Sequence, residues 1–184
     1  MLRSSSTAWK LQFAALSLGL ALGAAAVAPA YADGGGSNTP SPPTCAKGQV
    51  YDAKKKSCVK AERGTIPDEQ LTEYAYALTQ EGRFQEALAM LDMLDNPNTA
   101  RALNYRGYAT RKLGNTEEGI GYYLRSVALD PNYAQVREYL GEAYVIQGKI
   151  DLAKAELEKI KAICGNSSCE AYEDLENAID AAKL

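Results

Sequence analysis

The stretch that decides the fold is residues 100–133, which read ARALNYRGYATRKLGNTEEGIGYYLRSVALDPNY. It contains two helical patterns of about three turns each, joined at Gly114-Asn115 and closed by Asp130-Pro131-Asn132. Each helix carries one apolar stripe, and the two stripes are predicted to meet in an antiparallel hairpin. The stripe residues are Leu103, Gly107 and Thr110 in the first helix and Ile120, Tyr123 and Val127 in the second.

The same stretch resembles a tetratricopeptide repeat, a helix-turn-helix unit of about 34 residues. Counted from Ala100, the residues on signature positions are Gly107, Gly114, Tyr123 and Pro131, with Leu103 at the place often held by Trp. Four residues depart from the signature, namely Arg106, Thr110, Gly119 and Ser126. Gly119 and Gly121 each cost about 1 kcal/mol relative to Ala in a helix interior, so the second helix is expected to depend on its neighbours.

One such hairpin cannot bury its own stripe, so the resemblance requires copies on both sides. Both are present. Similar spacings recur downstream at Leu140, Gly141, Tyr144, Gly148, Ala153 and Leu157, and upstream at Tyr74, Ala75, Leu78, Gly82, Ala87 and Leu91. The resemblance therefore implies an all-α fold: a right-handed α-solenoid of three hairpins at 68–99, 100–133 and 134–167, within 66–167. The alternative is an unrelated six-helix bundle.

Residues 1–32 are predicted to be a secretory signal peptide. Arg3 and Lys10 precede an apolar run from Leu11 to Val27, and Ala30-Tyr31-Ala32 offers small residues for cleavage. A retained membrane anchor is the competing interpretation, since about 20 apolar residues span a bilayer. Export to the periplasm is the expectation, and secretion is an alternative. The only membrane contact expected is through this segment, if it is uncleaved.

Residues 33–184 carry 18 basic and 23 acidic side chains, a net charge of −5, so nucleic acid is not an expected partner. Residues 33–44, DGGGSNTPSPPT, offer almost no apolar surface to bury and are predicted to be a disordered linker. Residues 45–60 are predicted to form a small disulfide-closed segment with a turn at Lys54-Lys55-Lys56. Those lysines are read as a solvated turn or, alternatively, as a contact for anionic lipid or an acidic partner.

The four cysteines of an exported chain are expected to form two local disulfides, Cys45 with Cys58 and Cys164 with Cys169. Zinc and redox roles are less consistent with the spacings, because neither pair is a Cys-x-x-Cys knuckle. The second disulfide would hold the start of a capping helix within 168–184. Its predicted apolar stripe is Ala171, Tyr172, Leu175, Ala178, Ile179 and Ala182, and its predicted water-facing acids are Glu170, Glu173, Asp174 and Glu176.

Catalysis is not expected. The chain has no His, which excludes imidazole as base, shuttle or metal ligand. It contains no phosphate-binding Gly loop and no Gly-x-Ser-x-Gly nucleophile motif. No cofactor and no metal are therefore predicted, and the protein is read as a binding module.

The resemblance also implies a binding groove, lined by the second, fifth, ninth and twelfth residues of each first helix. The positions are Glu69, Thr72, Tyr76 and Thr79, then Arg101, Asn104, Tyr108 and Arg111, then Gln135, Glu138, Glu142 and Val145. Arg101, Asn104 and Arg111 share one helical face, so their donors could converge on a carboxylate or acidic segment. An ordinary solvated face is the alternative.

The leading functional hypothesis is an adaptor of the bacterial cell envelope that grips a segment of another exported protein, with Tyr76, Tyr108 and Arg111 as the central contacts. Two alternatives remain open. One is a structural subunit that self-associates, and the other is an envelope tether acting through residues 45–60.

Overall fold

The computed structural model describes residues 41–183. Within that range, two strands form an antiparallel β-hairpin and seven α-helices follow. The strands are β1 (Gln49–Asp52) and β2 (Ser57–Lys60). The helices are α1 (Asp68–Gln80), α2 (Phe84–Leu91), α3 (Ala100–Lys112), α4 (Thr116–Leu129), α5 (Ala134–Ile146), α6 (Ile150–Cys164) and α7 (Glu170–Ala181). The predicted signal peptide and the first eight residues of the predicted linker lie outside the described range.

The helices pair as α1/α2, α3/α4 and α5/α6, so the predicted architecture of three hairpins followed by a closing helix is confirmed. Local sequence explains the turns. Thr99 caps α3, its hydroxyl accepting a hydrogen bond from the amide of Ala102 at 3.2 Å. Gly114 ends the same helix with φ +96°, a left-handed conformation that favours glycine.

The hairpins are arranged in two layers of helices. The first helices contact one another in sequence, α1 with α3, α3 with α5 and α5 with α7. No Cα atoms of different second helices, α2, α4 and α6, lie within 8 Å of one another in the described chain. The layer of first helices is therefore the closer-packed side of the stack. We call its surface, facing away from α2, α4 and α6, the inner face.

Three glycines, Gly107, Gly119 and Gly141, let neighbouring helices approach closely. A Cβ on Gly119 of α4 would lie 2.9 Å from the carbonyl oxygen of Gly107 in α3 and 3.1 Å from Cβ of Arg111. A Cβ on Gly141 of α5 would lie 2.4 Å from Cδ2 of Leu175 in α7. Gly121 has open space at its Cβ position. Of the two glycines in α4 that are predicted to cost helix stability, Gly119 is therefore compensated by close packing and Gly121 is not.

The closing helix α7 packs against α5 and α6. Most of its predicted stripe is buried: Ala171, Tyr172, Leu175 and Ile179 are in the core and Ala178 is half-buried. Ala182 is exposed because α7 ends at Ala181, which corrects the prediction at that position. The Cys164–Cys169 disulfide joins the end of α6 to the residue before α7, as predicted, with Cα atoms 6.4 Å apart.

The segment after the linker is more ordered than predicted, because it forms strands and joins the helical core. The Cys45–Cys58 disulfide is present, and Val50 is fully buried beside α1 and α2. The Tyr74 hydroxyl accepts a hydrogen bond from the amide of Cys45 at 2.7 Å, and Gln70 donates to the carbonyl of Tyr51 at 2.6 Å. The hairpin therefore covers the first repeat, as α7 covers the last.

Candidate partner-binding face

Aromatic rings from three first helices pack against one another along the stack, and two of them, Tyr108 and Tyr139, also approach Phe84 of α2 and Tyr123 of α4. Tyr76 of α1 stacks on Tyr105 of α3 with ring centroids 4.8 Å apart. Tyr108 of α3 lies 4.7 Å from the ring of Tyr139 in α5. Tyr76, Tyr108 and Tyr139 are each half-buried. They therefore combine a fixed ring position with a partly accessible surface, a combination common at binding interfaces.

Arg111 is buried and holds three helices together. Its Nε donates to the hydroxyl of Tyr123 in α4 at 3.2 Å, and its Nη2 donates to Oε2 of Glu142 in α5 at 2.5 Å. The guanidinium also lies 5.5 Å from the ring of Tyr108 and 5.9 Å from that of Tyr139. With 4% of its side chain exposed, Arg111 is a structural residue, and replacing it would disturb packing as well as any binding.

The predicted strip of donors on α3 is not open to an anion. Asn104 is fully buried and donates to the Tyr133 hydroxyl at 3.1 Å and to Gln135 Oε1 at 3.2 Å. Arg101 reaches solvent but is paired with Glu73. Because Arg111 is paired as well, all three donors have acceptors inside the protein. An acidic partner would have to break these pairs, so the expectation of a carboxylate site on this strip is corrected.

The remaining predicted groove positions divide between core and surface. Thr72 and Thr79 are buried, and their hydroxyls donate to the carbonyls of Asp68 and Tyr76 in their own helix. Val145 packs against the C-terminal core. Glu69 is exposed. The threonines therefore offer no free polar group to a partner.

Glu138 and Glu142 lie one turn apart on α5 and differ in their environment. Glu142 is half-buried and paired with Arg111. Glu138 is only 6% exposed, and no hydrogen bond or ion pair joins its carboxyl group to any described residue. Burial raises the pKa of Glu138 to about 9, and the carboxylates of Glu142, Asp174 and Glu170 add to that rise. Glu138 is thus neutral at pH 7 in the free protein.

Three residues of this face were missed by the sequence analysis: Tyr139, Glu170 and Asp174. Treating α7 as the first helix of a further, incomplete repeat would have found one of them. Asp174 is the fifth residue of α7, as Glu138 is the fifth residue of α5. Glu170 and Asp174 are exposed, as predicted, and they also lie close enough to Glu138 to affect its charge.

Residues 41–183 contain no cluster of three or more side chains suited to holding a metal ion. None of the helices in this range combines the length and hydrophobicity required to cross a bilayer.

No family model and no curated protein matches the chain. Solved structures do. MamA is 24% identical over 64% of this chain and 69% of its own, with a TM-score of 0.53. The type III secretion chaperone SycD of Yersinia enterocolitica, in complex with a peptide of the translocator YopD, is 20% identical over 63% of this chain and 92% of its own, with a TM-score of 0.53. PcrH in complex with the chaperone binding region of PopB is 24% identical over 66% of this chain and 99% of its own, with a TM-score of 0.51.

These similarities are at the level of the fold. Together with the three hairpins and the two-layer arrangement, they show that the chain has a tetratricopeptide-repeat-type fold. The resemblance recognised in the sequence is confirmed.

Proposed function

We propose that the protein is a non-catalytic adaptor of the bacterial cell envelope whose inner face binds a segment of a partner protein. The observation that carries this proposal is the set of half-buried rings of Tyr76, Tyr108 and Tyr139 on neighbouring first helices. Rings held by neighbouring helices lose little conformational entropy on binding, so they suit a docking surface.

Two of the similar structures support a peptide-binding role. SycD is seen with a peptide of YopD, and PcrH with the chaperone binding region of PopB. In each case the matched region spans more than nine-tenths of the length of the similar chain. The partner of the present chain is expected to be another exported protein, and its identity is open.

Location in the envelope is supported by the cysteines and the N-terminal sequence. All four cysteines are paired in disulfides. Disulfides persist in oxidising compartments such as the bacterial periplasm. The apolar run in residues 1–32, with Arg3 and Lys10 before it, has the pattern of a secretory signal.

The proposal is tested by placing a photocrosslinking amino acid at Tyr108 in cells and mapping the trapped peptide by mass spectrometry. Leu124 on α4, which is 49% exposed, is the matched control on the outer layer. A synthetic peptide of the trapped sequence should bind the purified protein, and Tyr76→Ala should weaken that binding. Equal trapping of the same peptide from Tyr108 and Leu124 contradicts a site on the inner face.

Self-association is the second candidate function, favoured by large apolar side chains exposed on α4 and α6. Leu124, Leu129 and Leu152 are 49%, 55% and 47% exposed. Light scattering tests it: a defined oligomer that Leu124→Gln and Leu129→Gln dissociate supports self-assembly, and a monomer at micromolar concentration contradicts it.

The tether hypothesis needs a revised test, because Cys45 and Val50 are part of the core of the first repeat. Deleting residues 45–60 would damage the fold. Replacing Lys54, Lys55 and Lys56, which are exposed, leaves the core intact. Release of this variant from the envelope fraction would support a tether.

A further inference from the structure

One set of four acidic residues is contributed by α5 and α7, two by each helix. Glu138 and Glu142 are four residues apart on α5, and Glu170 and Asp174 are four residues apart on α7, so each pair shares one helical face. The contact between Gly141 and Leu175 fixes the two helices in this register. Gly141 precedes Glu142, and Leu175 follows Asp174. Glu142 and Asp174 are therefore chain neighbours of the two residues that form this contact.

Glu138 is the buried residue of this set, whereas Glu170 and Asp174 are exposed and Glu142 is paired with Arg111. The Glu138 side chain is more than nine-tenths buried, and none of the hydrogen bonds or ion pairs in the described chain involves its carboxyl group. Buried polar groups in native proteins are nearly always hydrogen-bonded. The buried side-chain atoms that lack both solvent contact and a partner in the described chain are Asn104 Oδ1 and Gln147 Oε1. The carboxyl oxygens of Glu138 are not among them, so a group from outside the described chain can reach this carboxyl group.

The groups around Glu138 favour a positive partner. Carboxylates at Glu142 of its own helix and at Glu170 and Asp174 of α7 raise its pKa, and the cation Arg111 of α3 lowers it. Arg111 is already paired with Glu142. The Tyr76 ring of α1 and the Tyr139 ring of α5 lie close enough to feel the charge of Glu138. The phenol groups of both tyrosines stay neutral because burial raises their pKa values.

We propose that the partner segment inserts a lysine or arginine side chain between α5 and α7, where it pairs with Glu138 and is flanked by Glu170 and Asp174. This inference rests on the proposed adaptor function and specifies the chemistry of its partner. Aromatic rings near Glu138 suit a cation, since a charged nitrogen is attracted to the ring face. The partner is thus a basic segment, opposite in charge to the acidic segment that was one of two alternatives for the donors on α3.

Binding of such a cation changes the protonation of Glu138. In the free protein at pH 7 the carboxyl group holds its proton. An ammonium or guanidinium group at hydrogen-bond distance favours the carboxylate, so the proton passes to the buffer as the ion pair forms. The affinity should therefore rise with pH, by up to about tenfold per unit between pH 6 and pH 8.

The test uses an acetylated and amidated nonapeptide with arginines in a Gly-Ser background, and the same peptide with citrulline, which is neutral and nearly isosteric. Calorimetry in phosphate and in Tris reports proton release directly. We expect the arginine peptide to bind more tightly than the citrulline peptide and to release about one proton at pH 7. Glu138→Gln should abolish the proton release while retaining the helical circular dichroism signal.

Charge-removing variants locate the site. The double variant Glu170→Gln with Asp174→Asn should weaken binding of the arginine peptide about five- to tenfold. The matched control is Glu158→Gln with Glu173→Gln, which removes the same charge from exposed positions on α6 and α7. The control should bind as the unaltered protein does.

Three results would overturn the inference: equal affinity for arginine and citrulline peptides, equal weakening by the two double variants, or no proton release. The adaptor proposal would survive any of them, because trapping at Tyr108 tests it independently. One further result would change the identity of the molecule that supplies the cation to Glu138. The protein could self-associate and lose this self-association when Lys54, Lys55 and Lys56 are replaced. In that case the cation belongs to a second copy of the chain, and the proposal of a separate basic partner is wrong.

Discussion

Gly119 and Gly121, two residues apart on α4, should respond oppositely to the same substitution. At Gly121 a methyl group meets open space, so Gly121→Ala gains helix propensity and should stabilise the fold by about 1 kcal/mol. At Gly119 the methyl carbon would lie 2.9 Å from a backbone carbonyl oxygen, that of Gly107, and 3.1 Å from Cβ of Arg111. Neither atom is the end of a flexible side chain, so α3 and α4 must move apart.

The difference between the two variants isolates the packing cost, since the gain in helix propensity is the same in both. Overpacking of this kind costs about 1 to 3 kcal/mol. Gly119→Ala should therefore be less stable than Gly121→Ala by about that amount in the free energy of unfolding. Urea denaturation followed by circular dichroism at 222 nm measures both variants against the unaltered protein. Equal stabilisation by the two substitutions would refute the close approach of α3 and α4.

Three further predictions concern the ends and the buried charges. Replacing Cys45 and Cys58 together by Ser should lower the free energy of unfolding by up to about 3 kcal/mol in the loop-entropy estimate, measured by urea denaturation of both proteins without reductant; equal stability of the variant and the unaltered protein would contradict a stabilising role of this disulfide. Glu156→Ala should cost about 3 kcal/mol, because it leaves the buried Arg137, 2.9 Å from Glu156, without its carboxylate partner; a change below about 1 kcal/mol would contradict that role. For Glu138 the pKa of about 9 in the folded state exceeds the ordinary value of 4.5, so the folded state binds more protons than the unfolded state between these pH values, and stability should fall as pH rises through this window. Thermal unfolding at pH 5 and pH 8 should show a smaller fall in stability for Glu138→Gln than for the unaltered protein. An identical fall in both proteins would contradict the shifted pKa.

Much of the helical architecture follows from the sequence because the repeat signal is redundant. Gly107, Gly114 and Tyr123 mark one hairpin, and the same spacings recur on either side. Glycines at the turns and at the helix crossings have few alternatives that fit, so their positions predict the contacts well. The cysteine pairs follow from local spacing in the same way.

The binding face was harder to predict because burial of polar side chains depends on neighbouring repeats. Position counting placed Asn104 and Arg111 on the inner face without showing that Tyr133, Gln135 and Glu142 accept their hydrogen bonds. The residues that supply those acceptors lie about 30 positions away in sequence. Periodicity within one helix carries no information about such pairs.

The N-terminal hairpin was also underestimated. Val50 and Val59 are paired across the two strands, and Val50 is fully buried beside α1. An apolar residue in a four-residue strand gives a weak signal by itself. The strand is stabilised by tertiary contacts such as the hydrogen bond from Cys45 to Tyr74, which sequence spacing does not reveal.

The account's central claim is that the inner face receives the partner segment. The most direct measurement is a titration of isotope-labelled protein with the peptide trapped at Tyr108, followed by amide NMR. The account predicts that the largest shifts fall on residues of α1, α3, α5 and α7 that face inward, centred on Tyr76, Tyr108 and Glu138. Shifts confined to α2, α4 and α6 would contradict it.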